Sequence, residues 1–321
     1  MKPKVFLTRE LPKKAMERLF EHTELEYNKK DRVLSKEEII AGIQGKDALL
    51  CLLTDTIDAE IMDANPNLKI ITNYAVGFNN IDVEAATKRG IPVTNTPGVL
   101  TDTSADMAFT LLVATARRIV EGDQYLRSGQ WTGWGPLQFL GADIFGATLG
   151  IIGLGRIGKA VAKRGKGFDM NIIYWNRTRL TESEEQELGL TYASLEEVLK
   201  QADFVSLNVA YTEQTFHLMS DKEFDLMKET AIVINTARGP VIDEKALVRA
   251  LQAKKIAAAG LDVYEEEPKV TPELLEMENC VLLPHLASAT IGTRTKMGMI
   301  AIDNLLAKFD GKQLPNLINK I

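Results

Sequence analysis

The sequence has 321 residues, of which 45% are hydrophobic and 26% are charged, and its formal net charge is −6. This length predicts about two domains, and the composition is typical of globular proteins rather than disordered or fibrous ones. An acidic balance without a block of basic residues argues against a nucleic-acid surface, and no apolar run approaches the roughly 20 residues of a membrane span. We expect a cytoplasmic protein with no nucleic-acid or membrane partner.

The first part of the chain alternates short apolar runs with helical patterns. The runs at 4–8, 47–53, 69–73 and 91–95 predict the strands of a first parallel α/β unit. Asp102 or Thr103 is then expected to cap a long apolar helix that leads into a second unit. Cys51 and Cys280 stand far apart in apolar runs, so we expect buried, reduced thiols and neither a disulfide nor a metal site.

The second unit begins with a strand at 148–152 that runs into three glycines and then into a helix over about 156–167. Gly153 permits the tight turn, Gly155 lets backbone approach a pyrophosphate, and Gly158 lets the helix pack on the strand. The helix N-terminus offers free amides to the anion. With a second strand at 171–175, this pattern predicts a nicotinamide or flavin dinucleotide site.

The residues after that second strand bear on which dinucleotide is bound. An acidic residue about 20 positions beyond the glycines would accept a hydrogen bond from the ribose of NAD, but this chain has Asn176, Arg177, Thr178 and Arg179 there. Guanidinium groups without a carboxylate favour the 2′-phosphate of NADP. We therefore expect NADPH. If the arginines are only solvated loop cations, NADH would serve as well or better.

Further apolar runs at 204–209, 231–236, 256–263 and 280–285 predict the remaining strands of the second unit, and 290–309 predicts a final helix. Three charged residues stand at the ends of these strands, where open α/β sheets bind ligands: Arg238, Glu267 and His285. The other two histidines, His22 and His217, are interpreted as structural or surface residues.

These three residues can form a hydride-transfer site for a 2-oxo acid. Arg238 can hold the carboxylate and the 2-oxo oxygen with its planar fork, and His285 can donate the proton that completes the alcohol. A hydrogen bond from His285 to Glu267 would orient the ring and favour the imidazolium. An ion-paired structural cluster remains the alternative.

The chain resembles the D-isomer-specific 2-hydroxyacid dehydrogenases, and within that family it is most similar to the glyoxylate/hydroxypyruvate reductases. The similar segments span essentially the whole length, at 73–82, 94–106, 153–158, 235–244, 259–268 and 284–290. The catalytic arginine, glutamate and histidine of that family fall on Arg238, Glu267 and His285.

The resemblance implies further site residues. A substrate pocket would use Leu53, the backbone amides of Val76 and Gly77, Arg238 and Ser288, together with Trp134 from the partner subunit of a homodimer. The implied cofactor residues are Ser104, Gly153, Gly155, Arg156, Ile157, Gly158, Asn176, Arg177, Thr178, Val209, Thr215, Thr236, Asp262 and His285. The alternative is that Trp131 and Trp134 serve only as anchors of a dimer interface. The chain departs from the common pattern at Ala287 and Ala210, neither of which touches the reacting atoms.

The expected fold is α/β, with two Rossmann-like parallel-sheet domains and the cofactor domain inserted into a flavodoxin-like substrate domain. Residues 1–100 and 290–321 would form the substrate-binding domain, and 101–289 the NAD(P)-binding domain. The expected activity is NADPH-preferring reduction of glyoxylate to glycolate and of hydroxypyruvate to D-glycerate, with NADH possible and no metal. The alternatives are a phosphoglycerate or phosphite dehydrogenase, or a non-catalytic, corepressor-like module that senses the cofactor.

Overall fold

The computed structural model describes all residues from 1 to 321, which divide into two compact units. Unit 1 comprises Met1–Leu100 and Ala289–Ile321, and unit 2 comprises Thr101–Ser288. Each unit contains one parallel sheet. The predicted fold class, α/β with two Rossmann-like parallel sheets, is confirmed.

Unit 1 begins with five strands and four helices. In chain order they are β1 (Lys4–Leu7), α1 (Lys13–His22), β2 (Glu24–Tyr27), α2 (Lys36–Gly42), β3 (Ala48–Cys51), α3 (Ala59–Ala64), β4 (Ile70–Asn73), α4 (Val83–Lys88) and β5 (Val93–Thr94). The strand order is β2-β1-β3-β4-β5, the flavodoxin-like order. The inner strands β3 and β4 are buried along their whole length, as expected for a parallel sheet covered on both faces.

Unit 2 has seven strands and eight helices. They are α5 (Thr101–Ala116), α6 (Ile119–Arg127), β6 (Thr148–Ile152), α7 (Arg156–Lys166), β7 (Asn171–Trp175), α8 (Glu182–Leu188), β8 (Thr191–Tyr192), α9 (Leu195–Gln201), β9 (Phe204–Leu207), α10 (Asp221–Phe224), β10 (Ile232–Asn235), α11 (Glu244–Gln252), β11 (Ala258–Leu261), α12 (Pro272–Leu275) and β12 (Cys280–Leu282). The sheet order is β12-β11-β10-β9-β6-β7-β8. Strand order therefore reverses between β6 and β9, the switch point at which doubly wound sheets bind dinucleotides.

The chain then returns to unit 1 through α13 (Ile291–Phe309), which begins at the capping side chain of Thr290. The segment after α13 lies beside β5, where the amide of Ile318 donates to the carbonyl of Val93 and the Asn319 side chain accepts from the Val93 amide. Unit 1 is thus completed by residues from both ends of the chain.

Several details differ from the sequence-based expectations. The helix expected to be capped by Asp102 or Thr103 begins at Thr101, so that capping prediction is wrong: both residues lie inside the first turn of α5. Strands β2 and β8 were not predicted, because both are short, partly exposed edge strands with polar residues. The strands predicted at 256–263 and 280–285 end earlier, at Leu261 and Leu282, so the residues expected at their ends lie in loops. Cys51 is buried, whereas Cys280 is only half-buried, and both are free.

The structure contains no helix long and apolar enough to cross a membrane. It also contains no cluster of three or more His, Cys, Asp or Glu side chains that could hold a metal ion.

Candidate active site

The glycine-rich turn follows β6 at the switch point of the unit 2 sheet. Gly153 has φ +95°, and a Cβ there would lie 2.7 Å from the backbone of Asn208 and Val209. A Cβ on Gly158 would lie 2.3 Å from the carbonyl oxygen of Gly153, so only glycine lets α7 approach this closely. A Cβ on Gly155 would instead meet no protein atom within 4 Å. The first and third glycines thus shape the turn, while the second faces open space.

This turn fits a dinucleotide pyrophosphate. Gly155 is the N-cap residue of α7, and no side chain caps the helix, so its first amides are available to an anion. Asn208 directly follows β9, and Thr236 directly follows β10. The side-chain oxygens of both residues are buried without a hydrogen-bond partner. Such orphaned atoms are uncommon inside proteins, and these two can form hydrogen bonds with a ligand at this edge of the sheet.

The loop after β7 contains two arginines with different environments. Asn176 ties this loop to the glycine turn, because its Oδ1 accepts from the Leu154 amide at 3.2 Å and its Nδ2 donates to the Thr178 carbonyl at 2.8 Å. Arg179 forms a bidentate pair with Glu185, with both N–O distances 2.8 Å. Arg177 is exposed and makes no hydrogen bond or ion pair within the protein. Of the two, only the Arg177 guanidinium is available for a phosphate.

The charged residues expected at the strand ends of unit 2 meet at one place. His285 Nδ1 lies 2.9 Å from Glu267 Oε2, and the other Glu267 oxygen accepts from the Tyr264 amide at 3.1 Å. The two side chains are 25% and 29% exposed, so the pair is partly shielded yet open to a ligand. His285 Nε2 makes no hydrogen bond within the protein. With Nδ1 held by Glu267, Nε2 is the nitrogen left for a reacting atom.

The electrostatics of this pair favour an ionised glutamate. Burial alone would raise the pKa of Glu267, but the hydrogen bond and charge of His285, with a further contribution from Arg238, hold that pKa below its usual range. The carboxylate is therefore charged at neutral pH. A charged carboxylate at Nδ1 holds the His285 ring in a fixed orientation.

The loop that carries His285 is held by Asp262, which is fully buried. Its two carboxylate oxygens accept from the amides of Leu286 and Ala287 at 2.6 and 2.8 Å. His285 itself adopts φ +55°, a left-handed conformation that is uncommon outside glycine. Burial raises the pKa of Asp262, although the two amide hydrogen bonds oppose that shift. The Asp262 carboxylate is thus committed to shaping the histidine loop.

Arg238 follows β10 and lies within the electrostatic reach of Glu267. Its loop is fixed by Asn235, whose Nδ2 donates to the Arg238 carbonyl at 3.0 Å and whose Oδ1 accepts from the Ala237 amide at 3.0 Å. Burial lowers the pKa of the guanidinium, which nevertheless stays charged at any physiological pH. The structure therefore brings Arg238, Glu267 and His285 into one cluster.

In unit 1, the predicted substrate residues follow two adjacent strands. Leu53 comes after β3, and Val76 and Gly77 come after β4. Asn95 donates to the Val76 carbonyl at 2.8 Å and Asn73 to the Gly77 carbonyl at 2.9 Å. Because the carbonyls are held in this way and the two amides donate to no protein group, the amides are free to bind an anion.

The remaining predicted residues occupy varied positions in unit 2. Ser104 is buried in the first turn of α5, and Thr215 closes a short 3-10 turn, where its hydroxyl donates to the Ala210 carbonyl at 2.8 Å. Val209 and Ser288 are half-buried at the ends of β9 and of the histidine loop. Trp134 is 84% exposed.

Sequence reasoning missed the asparagines that position the site. Asn235 and Asn73 are each the last residue of a fully buried strand, and each binds the loop that follows. A polar residue ending an otherwise apolar strand is the signal that would have identified them, because a buried amide must find partners in the adjoining loop.

A doubly wound sheet with an uncapped glycine turn, beside a histidine–glutamate pair and an arginine, defines the class of dinucleotide-dependent oxidoreductases. Comparison with known proteins places the chain more narrowly. A family model described as the D-isomer specific 2-hydroxyacid dehydrogenase, NAD binding domain, matches residues 109–287.

Named relatives match over the whole chain. The glyoxylate reductase of Korarchaeum cryptofilum is 52% identical over 100% of this chain and 97% of that protein, and that of Thermococcus litoralis is 51% identical over 100% and 98%. Among solved structures, the NADPH-dependent glyoxylate/hydroxypyruvate reductase of Sinorhizobium meliloti, in complex with NADP and malonate, is 34% identical with a TM-score of 0.89, covering 99% of this chain and 97% of that one. The chain belongs to the D-isomer-specific 2-hydroxyacid dehydrogenase family, and it is an NAD(P)-dependent oxidoreductase.

Proposed function

We propose that this enzyme reduces glyoxylate to glycolate and hydroxypyruvate to D-glycerate, with NADPH as the preferred cofactor. The observation that carries the proposal is the His285–Glu267 pair, in which Nδ1 is committed to a charged carboxylate and Nε2 remains available. The names of the relatives support the substrate class, since they are glyoxylate reductases at about half identity over the full length.

Each residue has a separate task in this reaction. A nicotinamide, if bound at the glycine turn of unit 2, would supply the hydride for the carbonyl carbon. Arg238 binds the 2-oxo acid through its guanidinium and stabilises the negative charge that develops on the carbonyl oxygen. His285 donates the proton from Nε2 to that oxygen, which completes the alcohol, and it takes the proton back in the reverse direction. Glu267 keeps the ring oriented through its hydrogen bond to Nδ1.

The substrate carboxylate would be bound in unit 1 by the amides of Val76 and Gly77, which donate to no protein group. Leu53 and Ser288 remain the proposed neighbours of the substrate. We also propose the division of labour between the units, in which unit 1 binds substrate and unit 2 binds the cofactor through the glycine turn.

The preference for NADPH rests on the loop after β7. The loop has no carboxylate next to Asn176, and the exposed guanidinium of Arg177 is unpaired. A 2′-phosphate would gain charge-assisted hydrogen bonds from Arg177 and would meet no negative side chain there. The Thr178 hydroxyl adds a second donor for that phosphate.

The direct test is the initial rate of absorbance loss at 340 nm with glyoxylate and with hydroxypyruvate, each paired with NADPH and with NADH at equal concentration. Turnover of both substrates, faster with NADPH, is the expected result. Turnover that is faster with NADH would overturn the cofactor preference alone. Silence in all four reactions would overturn the proposed activity and would direct attention to phosphite, 3-phosphoglycerate and the corepressor-like alternative.

We further propose a homodimer in which residues 119–145 of each subunit form the interface. This segment exposes several large apolar side chains, including Trp134 at 84%, Leu137 at 82%, Leu126 at 57% and Trp131 at 53%. Apolar exposure of this extent marks an interaction surface. Trp134 would then extend toward the substrate site of the partner. A monomer in light scattering after size-exclusion chromatography would contradict the dimer, and a cytoplasmic location stays a prediction.

A further inference from the structure

A second histidine–glutamate pair lies in unit 2, outside the proposed catalytic cluster. His217 Nε2 is 2.7 Å from Glu265 Oε1, and the two side chains are 30% and 28% exposed. The imidazole stacks on the ring of Phe216, with the ring centroids 3.8 Å apart. His217 adopts φ +49°, so the backbone takes an uncommon conformation at the residue that makes this contact.

The backbone of His217 binds the loop that carries Arg238. The His217 amide donates to the Pro240 carbonyl at 2.8 Å, and the Met219 amide donates to the Val241 carbonyl at 3.0 Å. Met219 also forms a parallel bridge with Ile242. The segment 217–219 therefore runs alongside the residues that directly follow Arg238.

The side chain of His217 binds the other loop, the one that carries Glu267. Its partner Glu265 stands two residues before Glu267. The Glu265 amide donates to Glu244 Oε1 at 2.6 Å, and Glu265 Oε2 accepts from the Glu244 amide at 3.2 Å. Glu265 is thus anchored to the start of α11 as well as to His217.

The two loops touch directly between these contacts. A Cβ added to Gly239 would lie 1.8 Å from the carbonyl atoms of Tyr264 and 2.4 Å from the amide nitrogen of Glu265. The backbone that follows Arg238 is therefore packed against the backbone that precedes Glu267. His217 spans this junction, with its amide on one loop and its imidazole on the other.

We propose that His217 is a positioning residue for the reaction proposed above: together with Glu265 it fixes the Arg238 loop relative to the Glu267 loop. Arg238 must hold the oxo acid while Glu267 orients the proton donor, so a shift between the two loops misaligns both. A misplacement of about 1 Å at a reacting centre can cost on the order of 100-fold in rate. The inference rests on the proposed function, since it assigns His217 a role in that reaction.

The test compares His217→Ala with His217→Gln. Both substitutions place a non-glycine residue at the same left-handed backbone, but only glutamine keeps a nitrogen donor at about the reach of Nε2. We expect kcat/KM for glyoxylate to fall on the order of 10- to 100-fold in H217A, with a raised KM for the oxo acid and an unchanged Kd for NADPH. H217Q should recover most of the loss. His22→Ala, which removes an exposed histidine in unit 1, is the matched control and should behave as wild type.

Three outcomes would overturn the inference. One is H217A with wild-type kcat/KM. Another is equal impairment of H217A and H217Q, and a third is a loss that extends to NADPH binding; either of these would indicate a general structural role. If the wild-type enzyme turns over no oxo acid, the proposed function is wrong, but the positioning role of His217 can still be tested. Amide hydrogen exchange would then report whether His217 holds the Arg238 loop against the Glu267 loop. Faster exchange of residues 238–243 and 264–268 in H217A, but not in H217Q, would support it, and unchanged exchange would overturn it.

Discussion

The two histidine–glutamate pairs of unit 2 are alike in composition and geometry. Both histidines have a left-handed backbone, with φ +55° at His285 and +49° at His217, and both rings lie within 3 Å of a glutamate oxygen. They differ in the nitrogen that makes the contact. His285 uses Nδ1 and leaves Nε2, at the far end of the ring, for a ligand, whereas His217 commits Nε2 to the protein. The same residue pair thus suits proton transfer in one place and positioning in the other.

The two arginines in the loop after β7 differ in the same way, because one is bound to the protein and the other is available to a ligand. Arg179 commits its guanidinium to Glu185 and lies over the Tyr192 ring, 5.1 Å from its centroid. Arg177, two residues earlier, makes no such contact. In both regions, one of two like residues stabilises the fold and the other keeps its functional group available. Sequence spacing alone would treat the members of each pair as equivalent.

The largest effect is expected from His285→Asn. Asparagine tolerates the left-handed backbone and keeps a donor near the position of Nδ1, but it has no group at Nε2. If Nε2 is the proton donor, kcat should fall by about 100- to 10,000-fold, the usual contribution of a general acid. Binding of NADPH, followed by its fluorescence, should be retained. Turnover within tenfold of wild type would show that Nε2 of His285 is not the proton donor.

Glu267→Gln tests the role of the carboxylate beside His285 through the pH dependence of the reduction rate. The pKa of Glu267 is lowered in the folded enzyme, so its carboxylate stays charged down to acidic pH. Glutamine keeps a hydrogen-bond acceptor but removes the charge. If reduction needs that charge, the wild-type rate should decline only as the pH falls toward the lowered pKa of Glu267, whereas the variant should be slower at neutral pH and lack that acid-side decline. An unchanged pH–rate profile would contradict a role for this charge.

Arg177→Ala tests the second comparison. Loss of the free guanidinium should lower kcat/KM with NADPH but not with NADH, so that the ratio of the two falls by about tenfold, as expected for one charge-assisted hydrogen bond. Arg179→Ala is the matched control, because its side chain is already paired with Glu185. Equal effects of the two variants on the ratio of kcat/KM with NADPH to that with NADH would contradict the assignment of phosphate binding to Arg177 alone.

The smallest effect is expected from Arg179→Ala on acid stability. The hydrogen bonds of Arg179 and Tyr174 lower the pKa of Glu185 to about 2. A carboxyl with a lowered folded pKa contributes stability that is fully present above its unfolded pKa and is lost as the pH falls toward the folded value. Wild type should therefore lose this contribution between about pH 5 and pH 2. The variant should have a slightly lower Tm at neutral pH and a weaker dependence of Tm on acid pH, and identical Tm curves for both proteins would contradict this.

Much of the candidate site could be predicted from the sequence because its signals are local. The glycines at 153, 155 and 158 stand at a fixed spacing between an apolar run and a helical pattern, which can be recognised in the sequence without tertiary information. Buried parallel strands appear as continuous apolar runs, so β3, β4 and β6 were readily located. The short edge strands β2 and β8 were not, because half-exposed polar residues carry no such pattern.

The sequence by itself determined the doubly wound fold class, the dinucleotide turn and the candidate residues Arg238, Glu267 and His285, since these depend on residue type and on position relative to a strand. Only the tertiary structure decided which nitrogen of each histidine is engaged, which of Arg177 and Arg179 is free, and that Asp262 holds the histidine loop. These features depend on contacts between residues distant in the chain, such as Asp262 with Leu286 and His217 with Glu265. Local propensity cannot specify a hydrogen-bond partner that is brought near only when the strands align in one sheet.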